Sequence, residues 1–139
     1  MKCVNELNKS YIAGFVDGEC SIGLYGSGNT RTTIRASICI YNTNIKVLNW
    51  INSLYGGWLC KRPMLPRHRQ CYCLYIGSKE KCLKFLTDIY PYLRIKQKQA
   101  KLVIEFCKTP SNRSISKKDK KMLIKSHSLN ERGERHQMP

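Results

Sequence analysis

Between Glu19 and Glu80 the sequence contains no aspartate or glutamate, and the whole chain of 139 residues has 9 acids against 25 lysines and arginines, a formal net charge of +16. Solvated surfaces normally mix signs, so this balance is not that of an idle surface. It favours a polyanionic partner, because each phosphate neutralised by Lys or Arg releases condensed counterions. A ribosomal protein or an anionic membrane surface would satisfy charge alone, but no apolar run approaches membrane-spanning length and the opening MKCVNELNKS has no apolar signal core, so no membrane partner is expected and an intracellular protein is predicted. The eight cysteines form no C-x-x-C pair and no C…H ladder of zinc-finger spacing, so neither a zinc module nor a redox motif is expected. They are read as reduced thiols in a reducing compartment, cytoplasm or organelle matrix, rather than as a disulfide framework.

What remains is an ordinary soluble composition patterned into alternating helices and strands. A helix is predicted over 6–18 behind Asn5 as N-cap, then strands over 21–25 and 31–41 around the turn residues GSGN. In the second strand Ile34, Ala36, Ile38 and Ile40 alternate with Arg35, Ser37, Cys39 and Tyr41, the pattern of a half-buried strand with one polar face. Val47, Leu48, Ile51, Leu54 and Tyr55 fall at helical spacing and stop at Gly56-Gly57. A second strand pair is expected over 58–62 and 70–76. A helix capped by Ser78 stops before Pro91, another covers 94–108, and a short basic helix covers about 117–129 before a tail expected to be disordered. The fold class is therefore α+β, in the order α-β-β-α-β-β-α, with helices on one face of an antiparallel sheet. The chain divides into a core domain over 1–110 and a basic C-terminal helix and tail over 111–139.

Both strand pairs lie in the acid-free interval, which carries Arg31, Arg35, Lys46, Lys61, Arg62, Arg67 and Arg69. A cationic, hydroxyl-rich sheet face suits a ribbon laid into a DNA groove. By alternation the outward positions include Ser21, Tyr25, Arg35, Ser37 and Tyr41 in the first pair and Arg62 and Tyr75 in the second. With Thr33, Lys61 and the loop residues Arg31, Arg67 and Arg69, these are the candidate contacts to double-stranded DNA. Arg35 and Arg62 are the candidates for bidentate pairing with guanine. Lys117 and Lys118 are candidates for backbone phosphate.

The first helix ends I-A-G-F-V-D-G-E at residues 12–19, delivering two acids to one point, and PYLRIKQKQAKLVI follows at 91–104. Together with the element order, these blocks resemble the single-motif type of the LAGLIDADG homing endonucleases over about residues 8–108. The resemblance implies a saddle-shaped sheet and a homodimer in which two such helices meet, with Ile12, Ala13, Gly14 and Phe15 at the interface. It implies site-specific hydrolysis of a near-palindromic duplex with Mg²⁺ or Mn²⁺. Glu19 would be the metal ligand and the Gly18 carbonyl a neighbouring one. Lys96 falls at the active-site lysine, Asn44 at a polar residue that orders water, and Asp17 is a second acid that could instead serve the helix end or the interface. Three departures stand out: Glu19 is glutamate where aspartate is usual, Cys20 stands where glycine is common, and Asn44 is shorter than the frequent glutamine. Chemically, a phosphodiester hydrolase needs activated water and stabilised phosphate charge, and a hard divalent cation held by one or two carboxylates supplies both. An intron maturase binding host intron RNA, or a non-cleaving DNA-binding protein, would share the basic face.

Overall fold

The computed structural model describes residues 3–27, 33–64, 66–110 and 115–130. Helix α1 (Glu6–Glu19) starts where the Asn5 side chain accepts from the Asn8 amide at 2.8 Å, filling one of the orphan donors of a helix start. Strands β1 (Cys20–Ser27) and β2 (Thr33–Asn42) pair antiparallel, with Cys20 opposite Ile40 and Tyr25 opposite Arg35. Helix α2 (Ile45–Tyr55) buries Leu48, Ile51 and Tyr55 and ends at Gly56, whose φ of 78° lies where only glycine is unstrained. Strands β3 (Trp58–Lys61) and β4 (Tyr72–Ile76) follow, shorter than their apolar patterns predict. The four strands form one antiparallel sheet in the order β1-β2-β4-β3.

Helix α3 (Lys79–Ile89) is capped by Ser78 and passes into a 3-10 turn at Tyr90–Tyr92 that holds Pro91. Helix α4 (Gln97–Cys107) starts three residues later than the expected 94. The inner sheet face, Ile22, Leu24, Ala36, Ile38, Ile40, Leu74 and Ile76, is at most 1% exposed and packs against these helices. That strip is the period-2 alternation of the sequence turned inward. Its burial stabilises the fold by about 25 cal/mol per Å² of apolar surface removed from water.

Helix α5 (Lys117–Asn130) opens with a reciprocal capping box: the Ser116 hydroxyl accepts from the Asp119 amide at 3.1 Å, and the Asp119 carboxylate accepts from the Ser116 amide at 2.9 Å. Its Met122 and Leu123 join the same core, and the helix lies along β1 and α4. Ser126 accepts from the Leu24 amide at 2.8 Å, and the Asn130 amide donates to the Ile22 carbonyl at 2.9 Å. These are outward backbone groups of an edge strand, so α5 closes the edge that a neighbouring chain could otherwise pair with. The turn residues from Gly28 onward, Arg31, the linker at 111–114 and the tail at 131–139 lie outside the described residues.

Candidate active site and nucleic-acid interface

The two acids at the end of α1 face different surroundings. Asp17 turns towards the bend that precedes α4, where its carboxylate accepts from the backbone amides of Arg94 at 2.8 Å, Ile95 at 3.2 Å and Lys96 at 3.0 Å. It therefore serves as the negative cap of α4, a helix without a side-chain cap of its own. In return Lys96 reaches back with its Nζ 3.0 Å from the Asp17 carbonyl and 3.4 Å from that of Val16. An ammonium on the last carbonyls of α1 and a carboxylate on the first amides of α4 complement both helix dipoles, and together they tie the two helix ends to each other.

Glu19 and Gly18 stand exposed at the same point. Asn44 lies just beyond β2, at the sheet end where β1 starts, and there it is the N-cap of α2, its side-chain oxygen accepting from the Val47 amide at 3.2 Å. Among the described residues no group of three or more His, Cys, Asp or Glu could hold a metal. The donors at the end of α1 are hard oxygens, one exposed carboxylate per chain and a backbone carbonyl. That set fits Mg²⁺, which keeps several waters and uses few protein ligands, provided phosphate oxygens or a second chain complete it.

Away from the helices, the sheet presents the alternate residues in rows fixed by the register. Tyr25 sits beside Arg35 at the end far from α1's terminus, and Gly23 beside Ser37. A Cβ at Gly23 would stand 3.0 Å from the Asn130 amide nitrogen and 3.2 Å from both Ser126 Oγ and the Tyr25 hydroxyl, so a side chain there would displace α5 or Tyr25. The next row is Ser21, Cys39, Tyr75 and Trp58, and then Tyr41, Cys73 and Cys60. Arg62 and Cys71 follow, joined by the Arg62 amide donating to the Cys71 carbonyl at 2.9 Å. The Arg62 guanidinium lies 5.0 Å above the Tyr41 ring. With Thr43, Pro63, His68 and Arg69 this end encloses an open hollow of about 630 Å³. Burial, reinforced by the adjacent Cys39, pushes both the Tyr41 phenol and the Cys73 thiol up to about 12, so both stay neutral near pH 7.

Several expected contacts are placed differently by the structure. Lys61 shares the face of Leu59, the helix side of the sheet, because strand alternation puts Cys60 outward; it is exposed but not on the outward face. Ile12 and Ala13 are 0% exposed in the protomer's own core, so they cannot meet a partner, whereas Gly14 is open and Phe15 half-buried. The open face of α1 is instead Leu7, 83% exposed, Tyr11, 56% exposed, Gly14 and Gly18. Nothing in the protomer lies within 4 Å of where a Cβ would stand at either glycine. The spacing i, i+4, i+7, i+11 is legible in the sequence and marks one helical stripe, but the motif residues drew attention to its neighbours. Trp58, 69% exposed beside Tyr75, and His68 in the hollow are further surface residues the strand pattern alone did not single out. Arg67 and Arg69 are exposed in the β3–β4 loop, and Lys117 and Lys118 are exposed in the first turn of α5.

The architecture has solved counterparts. The homing endonuclease I-CvuI in complex with its target is 24% identical, with a TM-score of 0.67 over 89% of this chain and 78% of that one. The archaeal intron-encoded homing endonuclease I-Vdi141I complexed with DNA is 18% identical, with a TM-score of 0.74 over 92% and 87%. The LAGLIDADG homing endonuclease I-GzeII in complex with its DNA target is 14% identical, with a TM-score of 0.61 over 88% of this chain and 43% of that one. No family model and no curated protein sequence matches the chain. The fold is that of the homing endonucleases.

Proposed function

We propose that this chain, built on the homing-endonuclease fold, is a single-motif LAGLIDADG homing endonuclease: a homodimer that hydrolyses phosphodiester bonds at a long, near-palindromic site in double-stranded DNA. The observation that carries the reading is the end of α1, where the Glu19 carboxylate is exposed and the Lys96 ammonium lies 3.0 Å from the Asp17 carbonyl, at one end of a sheet face with no acid on its strands. Lys96 also ties the two helix ends together, so it is the exposed Glu19, whose carboxylate makes no bond among the described residues, that a binding protein would not need. The solved relatives complexed with DNA support the same partner.

One chain has one such acid, and cutting both strands needs two. The exposed stripe of Leu7, Tyr11, Gly14 and Gly18 supports a two-fold contact through α1, its glycines admitting a second backbone closely and bringing the two Glu19 groups together. Mg²⁺ or Mn²⁺, held by the Glu19 carboxylate and the Gly18 carbonyl, would supply Lewis acidity and an activated water. Lys96 needs only to swing its Nζ from the α1 carbonyls to neutralise charge growing on a phosphate. Asn44 caps α2 with its oxygen and keeps amide hydrogens that can orient water at the same sheet end. Asp17 acts through position, holding the backbone that carries Lys96. No described helix is long and apolar enough to cross a membrane. A reducing compartment suits the eight free thiols.

The test is incubation of the purified chain with a randomised duplex library in Mg²⁺ or EDTA, with the cut ends sequenced and light scattering for mass. The expected result is metal-dependent cutting at one near-palindromic site by a dimer, lost in Glu19→Gln and reduced at least a hundredfold in Lys96→Ala. Sequence-selective retention with no cutting in Mg²⁺ or Mn²⁺ would leave the chain a binding protein.

A further inference from the structure

The outward sheet face changes character along its length. At the end by Glu19 stands the Arg62 guanidinium, held over Tyr41, and at the far end Arg35. Continuing the β2–β4 register past Asn42 and Tyr72 brings position 43 level with Cys71 and Arg62, eight residues along β2 from Arg35. At about 3.4 Å per residue the two backbone positions lie about 27 Å apart along the strands, roughly eight base-pair steps of 3.4 Å.

The rows between carry no charge. Ser37 is buried, and the two rows beyond it set three thiols among Ser21, Tyr41, Tyr75 and the exposed Trp58: Cys60 lies directly opposite Cys73, and Cys39 is diagonal to Cys73 on the next strand. Cys73 is buried, while Cys39 and Cys60 flank it half-exposed. A neutral thiol is a poor hydrogen-bond partner and cannot make the bidentate contacts that distinguish guanine or adenine. It is instead a small, polarisable apolar surface. In the major groove the apolar feature is the C5-methyl of thymine.

We propose that the chain reads each half-site in three parts: guanine in an inner block under Arg62, guanine in an outer block under Arg35 about eight base pairs away, and thymine methyl groups between them through Cys39 and Cys60. This rests on the outward face being the DNA interface. It makes the middle of the sheet a discriminator against RNA, which has uracil in place of thymine and a major groove too deep and narrow for side chains to read.

The test is selection of randomised duplexes by retention on the purified chain in EDTA, so that cutting is not required. The retained half-sites are expected to carry two guanine-bearing blocks about eight base pairs apart, with an A·T-rich stretch between. Replacing each contacted middle thymidine by deoxyuridine should weaken binding about fourfold, the worth of one buried methyl. Cys39→Ser with Cys60→Ser, which puts a hydroxyl in place of each sulfur without changing its shape, should reduce that difference. Arg35→Ala should relax the outer block alone and Arg62→Ala the inner block alone, each by roughly five- to hundredfold in discrimination. Strongest selection in the middle, equal binding of uridine and thymidine sites, or both arginine variants relaxing the same positions would overturn the assignment while leaving DNA binding intact. Retention of no duplex, or equal retention of RNA duplex, would instead remove the DNA reading on which it depends.

Discussion

Two carboxylates separated by one glycine end α1, and their surroundings divide the work between them. Asp17 accepts three backbone hydrogen bonds from residues 94–96, and Glu19 is exposed. Asp17→Asn keeps the shape but loses the charge, and its amide group presents N–H where an acceptor is needed. We expect a loss of about 1–2 kcal/mol by urea denaturation, since hydrogen bonds to charged groups are the strong ones and Asp17 is partly exposed. Cleavage should also weaken, because Lys96 rides on that bend. Glu19→Gln should change stability by less than about 0.5 kcal/mol while removing metal-dependent cutting. A Glu19→Gln variant as unstable as Asp17→Asn would mean that the two acids do not have separate jobs. The motif was readable in the sequence, and so was a helix-end role as one alternative for Asp17; that the end served is the start of α4 was not, because it depends on amides far along the chain. Asn44 is similar: its place before an apolar helical pattern was legible, and the bond to the Val47 amide identifies it as a cap without excluding a second use for its amide hydrogens.

Among the elements, α1 and α5 differ most from what patterning alone suggests. The alternation of Ile34, Ala36, Ile38 and Ile40 fixed one face of β2 and with it the inner face of the whole sheet, and that part of the fold was legible residue by residue. The strand order β1-β2-β4-β3 was not, since periodicity carries no information about which strands become neighbours. The start of α4 was misplaced because Arg94 and Ile95 fit a helical pattern while their amides are drawn out to Asp17. The basic run at 117–121 reads as a surface helix, and its lysines are exposed; yet the capping box at Ser116 and Asp119 and the apolar pair Met122 and Leu123 make it a wall of the core. Ser126→Ala should therefore cost about 1–3 kcal/mol, the penalty for leaving the buried Leu24 amide without an acceptor. Thermal unfolding of the variant measures it, and a change below about 0.5 kcal/mol would mean that α5 does not close the β1 edge. On α1, Gly14→Leu adds a side chain where the protomer has open space and improves helix propensity by roughly 0.8 kcal/mol. The protomer should fold as well or better. If α1 is the two-fold contact, light scattering should report a monomer, and double-strand cutting should be lost.

Taken as a whole, the molecule sets folding and binding in opposition through its charge. Of 25 basic side chains against 9 acids, only two ion pairs occur among the described residues, Lys9 with Glu6 at 3.2 Å and Lys84 with Asp88 at 3.0 Å. Both are intrahelical, and neither neutralises the outward sheet face. A chain of net charge +16 repels itself when compact, and that repulsion is screened over a Debye length of about 10 Å at 0.1 M salt. Raising NaCl from 50 to 500 mM should therefore raise the Tm of the free protein, whereas a fold held mainly by exposed ion pairs would lose stability. Binding to a duplex should move the other way. Several phosphate contacts released together weaken affinity by roughly a thousandfold or more between 50 and 200 mM salt, with log Kd linear in log salt. A duplex should accordingly stabilise the fold strongly at low salt and barely at high salt, although the protein alone is more stable at high salt. Thermal scans with and without duplex across one salt series measure both slopes. If both run in the same direction, the excess charge acts on the fold rather than on a polyanion, and the cationic sheet loses its standing as the interface.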